Sequence, residues 1–246
     1  MFSQQWKSLL DEIDDFTRSY HGTVWFRGHN NSTYKLNSGL FRLNPDNKSL
    51  EKYLALEKQL YTYYKNLGYL IHNNETGWNL LYSMQHHGVK TRLLDWTESM
   101  SVALFFALDG WTSGTAKIWV LKPTELNWLS LEKNEILSPQ AIEYPKHFEN
   151  PNQKSIAIYP IKSNKRIVAQ NGVFTVQGNS MLPLEEEFDG GLAKHNILKS
   201  FELTLDIKED VMRFLYHNGI NKFTLFPDLE GLSTHLNNTL IPPSWK

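Results

Sequence analysis

Residues 82–109, YSMQHHGVKTRLLDWTESMSVALFFALD, restrict the fold more than any other stretch of the chain. Val102 to Leu108 is apolar on nearly every side of a helix, and a helix of that kind belongs inside a protein. Gln85, His86 and His87 end a preceding helical pattern, and Gly88 is a natural stop because glycine tolerates positive φ. Leu93 and Leu94 then lie between Arg92 and Asp95. The pattern predicts a second helix starting near Asp95–Thr97, capped by an Asp95/Glu98 pair or by Thr97. Its polar start, with Thr97, Ser99 and Ser101, must face a partner group or a ligand. The free N–H groups and partial positive charge of a helix N-terminus suit an anion.

The chain has 246 residues, 41% of them apolar, enough for one sizeable core and pointing to one α/β-type domain. With 25 basic and 26 acidic residues the net charge is −1, so no global field steers it to nucleic acid or an anionic membrane. The absence of cysteine excludes disulfides, thiolate catalysis and Cys-ligated zinc, and agrees with a reducing compartment. The start, MFSQQWKSLLDEIDD, is amphipathic and acidic, unlike a signal peptide. No apolar run approaches the ~20 residues of a membrane span. A soluble, cytoplasmic protein is expected. Aromatic residues make up 13%, including 8 Trp, which fits either a large core or a stacking cleft.

Along the chain, Trp6, Leu9, Leu10, Ile13 and Phe16 recur at helical spacing. Residues 23–29 alternate like a strand ended by Gly28, with Val24 and Phe26 on one face and Trp25 and Arg27 on the other. Residues 30–48 read as loop with a short strand possible at Tyr34–Leu36. Helices are predicted over Leu50–Ile71 and Trp78–His86, a strand over Ala116–Lys122, and a short helix around Glu125–Leu129. From Ser155 the β signal dominates: SIAIYPIK, then KRIVAQNGVFTV with a turn at Asn171–Gly172. Residues 178–196 read as a Gly- and acid-rich loop. A strand over Leu198–Ile207, a helix over Glu209–Asn218 stopped by Gly219, a strand over Lys222–Phe226 and a helix over Leu229–Leu236 complete the pattern. The expected architecture is α+β, helices first and a mainly β second half.

Arg27 is the first candidate site residue. An arginine on a strand, beside a glycine that permits close approach, suits bidentate phosphate recognition; the plainer alternative is a strand-end arginine on the surface or paired with a carboxylate such as Asp95. His86 and His87 point about 100° apart on a helix, so at most one serves a given site, and no metal-ligand spacing accompanies them. Arg92 and Asp95 read as a structural ion pair, with phosphate contact by Arg92 as the functional alternative. Asn150 to Leu184 holds no acidic residue but carries Lys154, Lys162, Lys165 and Arg166, either a lysine-protected strand edge or a seat for phosphate or RNA. Glu185–Glu187 with Asp189 reads as a solvated loop and a poor cation cage. No phosphate-loop, dinucleotide or serine-hydrolase signature is present.

Four segments in order, FRGH (Phe26–His29), QHHGVKTRLLDWTESMSVALFFAL (Gln85–Leu108), KRIVAQNGVFTV (Lys165–Val176) and LFPDLEGL (Leu225–Leu232), resemble the FRG domain, a family found mainly in bacteria and phages. The resemblance implies one FRG domain over residues 1–246, an N-terminal helix in 1–22 and a core over 23–232.

The motif order is also similar, more distantly, to that of ADP-ribosyltransferases. That resemblance implies N-terminal helices on a mostly antiparallel, split β-sheet, with NAD as substrate and no metal. Carried over, Arg27 and Gly28 match the strand that holds the NAD diphosphate, and Thr97, Ser99 and Ser101 match the hydroxyl-rich entry to the following helix. Gln170 matches the late catalytic carboxylate, a departure that leaves another residue, such as His86 or Glu230, to do its work, or leaves a binder without transfer activity. Trp25 or Trp96 would stack on nicotinamide, and Arg92 would assist at the phosphates. The expected catalytic set is Arg27, His86 and Gln170. The resemblance further implies a toxin or phage-defence effector, a protein or nucleic-acid acceptor, and an antitoxin or regulatory partner. The competing expectation is a non-catalytic nucleotide- or RNA-binding module using the same pocket and the Lys154–Arg166 face. A nuclease-type effector ranks last for want of a carboxylate cluster.

Overall fold

The computed structural model describes residues 1–44, 49–72 and 74–242; the end of the expected loop at 30–48 lies outside them. Among these residues the helices are α1 (Gln4–Arg18), α2 (Leu50–Leu67), α3 (Gly77–His86), α4 (Met100–Leu108), α5 (Pro123–Leu131), α6 (Lys165–Ala169), α7 (Glu187–Lys194), α8 (Lys208–His217), α9 (Lys222–Leu225) and α10 (Leu229–Leu240). The strands are β1 (Trp25–His29), β2 (Leu93–Thr97), β3 (Ala116–Leu121), β4 (Ile156–Ile158), β5 (Gly172–Val176) and β6 (Leu198–Leu203). The protein is therefore mixed α and β, with an antiparallel six-stranded sheet in the order β4-β5-β2-β1-β3-β6.

The sheet is two three-stranded ladders meeting at one point. β1 aligns with β3 over its whole length, and β2 with β5 over its whole length. Between β1 and β2 the register holds a single pair, Phe26 with Thr97. Side-chain packing closes the junction instead. Trp25, Trp119 and Leu121 from one half share a cluster with Leu94, Trp96, Ala157 and Val173 from the other. On the opposite face the halves pack separately. α1, α4 and α8 cover Phe26, Ile118, Val120 and Phe201, while α3 covers Leu93, Ile156, Ile158, Phe174 and Val176.

Gly88 ends α3 as expected, with φ +81°. Helix α4 is buried at Val102, Ala103, Leu104 and Ala107, in keeping with its apolar sequence. It starts later than expected: Asp95–Thr97 belong to β2, and Ser99 is the cap, accepting the Val102 N–H at 3.4 Å. LLDWT is a strand buried on both faces except at Asp95, and it pairs with β5 along its whole length. α4 lies directly on β1. A Cβ added at Gly28 would come within 1.9 Å of the Ala103 carbonyl oxygen and 2.7 Å of the Ala107 nitrogen. Gly28 is thus required by helix packing.

Other expectations are corrected by local hydrogen bonding. Tyr34–Leu36 is not a strand: Leu36 N–H donates to the Glu185 carboxylate at 3.0 Å and its carbonyl accepts from Leu184 N–H at 3.1 Å. α2 ends at Leu67 because Gly68 caps it, leaving Leu70 and Ile71 exposed beyond the helix. The KRIVA half of the expected hairpin is α6, since the Asn164 side chain accepts the Ile167 N–H at 2.9 Å and nucleates a helical turn. Asn171, at φ 45°, then turns the chain from α6 into β5. Lys222–Leu225 is helix α9, set by a capping box of Asn221 and Thr224 that outweighs the β preference of Phe and Thr. Within 178–196, α7 replaces part of the expected loop, and Glu187 is fully buried, accepting Ser155 N–H, Ser155 Oγ and Ser180 Oγ at 3.1, 3.0 and 2.7 Å. Burial raises the Glu187 carboxyl pKa above its ordinary range.

Arg92 does not pair with Asp95. Its guanidinium, fully buried, makes two hydrogen bonds to Glu57 at 2.6 and 2.5 Å and lies over the Phe148 ring at 4.2 Å. Tyr144 O–H donates to the same Glu57 carboxylate at 3.0 Å.

Two outcomes are expected in chemical denaturation. Gly28→Ala destabilises the protein by roughly 3 kcal/mol, because the obstacle is backbone and cannot swing aside. Arg92→Met destabilises it by about 3–5 kcal/mol, because Glu57 is left as a buried charge without its cation.

Candidate functional site

A cleft of about 640 Å³ opens where the β1–β2 ladder gives out. β1 contributes Arg27, Gly28 and His29, and β2 contributes Asp95, Trp96 and Thr97. The last turn of α3 adds Gln85 and His86, α4 adds Val102, Ala103 and Phe106, and Arg166 and Gln170 come from α6 and its cap. The segment after β1 supplies Tyr34, Lys35 and Arg42. A volume of this size falls within the range of small-molecule and cofactor sites.

Arg27 spans the gap between the two ladders. Its Nη1 donates to the Asp95 carbonyl, so a side chain takes over an acceptor where main-chain pairing has stopped. The same nitrogen lies 4.0 Å from Asp95 Oδ2, the weak ion pair named above as the plainer alternative for Arg27. Its Nε donates to His29 Nε2 at 3.0 Å. Only 17% of the arginine side chain is exposed. Burial pulls its pKa down to about 10, with Asp95 opposing and Arg42 adding to the fall. At neutral pH it remains charged, so it is a cation removed from much of its hydration. Such a group gains more from an anionic ligand than one in open water.

His29 is buried, and accepting a hydrogen bond from Arg27 requires Nε2 to be unprotonated, which places the ring proton on Nδ1. Burial, then the charges of Arg27, Lys117 and Arg42, hold its pKa down at about 3. His86 is half-buried, its pKa also lowered, first by burial and then by His87 and Arg166. As the helix geometry predicts, only one of the two adjacent histidines faces the cleft: His86 lines it and His87 does not.

The lining carries the cations Arg27, Lys35, Arg42 and Arg166 against the carboxylates Asp95 and Asp109, an excess that favours an anion. Lys35 is tied to Glu186 at 2.7 Å, and Asp109 to Lys222 at 3.3 Å. Arg166 stacks on the Phe226 ring at 4.5 Å. Of the other basic residues between 150 and 184, Lys154 lies over the Phe188 ring and Lys162 over the Tyr159 ring, 4.0 Å from Glu98. No group of three or more His, Asp or Glu side chains among the described residues is placed to hold a metal ion. No helix among them is long and apolar enough to cross a membrane.

The structure brings Arg27, Gly28, His86, Thr97 and Gln170 to one cleft. It does not bring Trp25, Arg92, Ser99, Ser101 or Glu230 there. Trp25 is completely buried in the cluster that closes the sheet junction, and Arg92 is equally buried against Glu57. Ser99 is occupied in capping α4, and neither it nor Ser101 lines the cleft. Glu230 lies on α10, also outside the lining. Trp96 lines the cleft but is buried, its Nε1 donating to Thr175 Oγ1 at 3.0 Å. Thr97 Oγ1 donates to the Gln170 carbonyl at 2.7 Å and accepts the Ser99 N–H at 3.0 Å. Gln170 Nε2 donates to the Leu225 carbonyl at 3.1 Å.

Sequence reasoning missed His29, Arg42, Gln85, Tyr34 and Phe106. Two of these carried a readable signal. His29 is two residues after Arg27 on a strand and so shares its face, and Gln85 sits one turn from the strand that carries Asp95. Arg42 and Tyr34 arrive on an irregular segment with no periodicity to read.

The depressed His29 pKa has a pH consequence. Below about 6.5 the unfolded chain takes up a proton that the folded protein refuses until near 3, so this group makes stability fall as pH drops through that window. His29→Gln, which keeps an acceptor but cannot titrate, is expected to show a smaller loss of unfolding free energy between about pH 7.5 and about pH 4.5 than the wild type.

The family model for the FRG domain matches residues 22–114. Every lining residue of the cleft except Arg166 and Gln170 falls in that segment. Neither the curated proteins nor the solved structures contain a match to the chain. The segment that builds the cleft floor, from β1 through α4, is the part of the chain that matches the FRG domain family.

Proposed function

We propose that the cleft binds NAD through its diphosphate and that the protein is an ADP-ribosyltransferase-like enzyme. The observation that carries this reading is the desolvated Arg27 guanidinium at the gap between the ladders, flanked by Arg42 and Arg166 on the same lining. A planar, charged donor set of that kind suits a diphosphate better than a single carboxylate ligand. The cleft has room for a nucleotide, and Tyr34 and Phe106 offer aromatic surface in place of Trp25. Cleaving the nicotinamide–ribose bond requires the substrate to be clamped and oriented, and the phosphates are the natural handle for this. The acceptor, protein or nucleic acid, and an effector role in bacteria or phage defence with a regulatory partner, are proposed on the resemblance alone.

A second reading is a nucleotide- or RNA-binding module without transfer activity. It is favoured by Arg166, the last basic residue of the acid-free stretch, which lines the cleft.

Calorimetric titration with NAD, paired with an assay of nicotinamide release, tests the proposal. Wild type is expected to bind and to release nicotinamide. Arg27→Ala is expected to weaken binding about 30-fold or more, while a folded far-UV spectrum is retained. Binding without release supports the module. Failure to bind NAD, together with salt-dependent binding of single-stranded RNA, replaces the enzyme reading.

A further inference from the structure

We infer that Asp95 is the catalytic carboxylate of this cleft, an assignment that rests on the NAD reading above. Breaking a bond between an anomeric carbon and a nitrogen leaves positive charge on the sugar, and a fixed carboxylate is the side chain that stabilises such charge. The cleft must therefore supply an anion. Gln170 is a neutral amide whose Nε2 is committed to the Leu225 carbonyl. Burial disfavours charge on His86, and any charge it took up would have the wrong sign. Asp109 is drawn to Lys222 at 3.3 Å.

Asp95 has the features these groups lack. Its neighbours on β2, Leu94 and Trp96, are buried in the sheet junction, so the backbone beneath it is rigid. Its side chain is 60% exposed and lines the cleft. A relay from another element orients it: buried Thr91 donates through Oγ1 to Gln85 Oε1 at 2.6 Å, and Gln85 Nε2 donates to Asp95 Oδ2 at 2.9 Å. Oδ1 makes no hydrogen bond among the described residues and is left for a ligand. Arg27, the proposed diphosphate clamp, is 4.0 Å from Oδ2, so a dinucleotide held there brings its ribose near the carboxylate.

In the step this implies, the C1′–N1 bond of the nicotinamide ribose breaks and its electron pair goes to the ring nitrogen, neutralising the pyridinium. The carboxylate of Asp95 faces the oxocarbenium that remains. An acceptor oxygen, from water or a hydroxyl, forms the new bond to C1′, and its proton passes to Asp95 and on to solvent. ADP-ribosyl product and neutral nicotinamide result.

The test measures NAD affinity and nicotinamide release for wild type, Asp95→Asn and Asp95→Ala. Asp95→Asn is expected to keep NAD affinity within about threefold and to lose about 100-fold or more in release rate. Added formate is expected to restore release in Asp95→Ala, where the carboxylate has been deleted, and not in Asp95→Asn, where the space remains filled. A purely structural role for Asp95 gives no such rescue. Release by Asp95→Asn at the wild-type rate, or loss of affinity as large as the loss of rate, overturns the assignment and leaves the NAD reading standing. A wild type that does not bind NAD overturns both.

Discussion

The structure depends on a discontinuity. Two antiparallel ladders meet through one register pair, Phe26 with Thr97, and beyond it Arg27 reaches across to the Asp95 carbonyl. Continuous pairing between β1 and β2 would have filled the space where the cleft lies. The missing ladder bonds are offset by packing on one face, where tryptophans from both halves share a cluster. A sheet interrupted in this way presents main-chain and side-chain polar groups at its centre, in a place otherwise shielded from water. Electrostatic interactions are strongest there, because the surroundings are weakly polarisable.

Around this gap the polar side chains form a connected row from Thr91 through Gln85 to Asp95, and on through Arg27 to His29. Each member limits the orientation of the next. The neutral tautomer of His29 follows from Arg27, and the position of Arg27 follows from β1, whose approach to α4 is set by the missing side chain at Gly28. Arg92 belongs to a separate network, with Glu57 and Tyr144, that anchors α2 to the start of β2. Two arginines that look alike in the sequence thus do different things. One is sealed into the core with its own carboxylate, while the other keeps an edge toward a cleft.

Much of the architecture was legible in the residues. The all-apolar helix α4, the stop at Gly88, the amphipathic α1 and α8, and strands β1, β3 and β6 all follow from periodicity and glycine placement. The errors cluster where a single side chain decides the backbone. Asn164 and Asn221 turn apolar, β-favouring runs into short helices, and Ser99 rather than Thr97 starts α4. For the site, Arg27, Gly28, His86, Thr97 and Gln170 were named from motifs and do line one cleft. Trp25 was misplaced because its neighbour's face was taken to be open, when the sheet junction buries it. Asp95 was visible only as a helix cap or as a pairing partner, since nothing in a linear pattern shows that Arg92 has another carboxylate thirty-five positions upstream.

The segment matched by the FRG family, residues 22–114, holds both strands that flank the gap but neither of their full-length neighbours, β3 and β5. Within it, β1 and β2 share one register pair, too little to make a sheet. The recognisable signature and the cooperative unit are therefore different stretches of chain. The signature covers the two strands that flank the cleft, and the flanking sequence supplies the two edges that hold those strands apart. What the fold requires beyond the signature is a spacing.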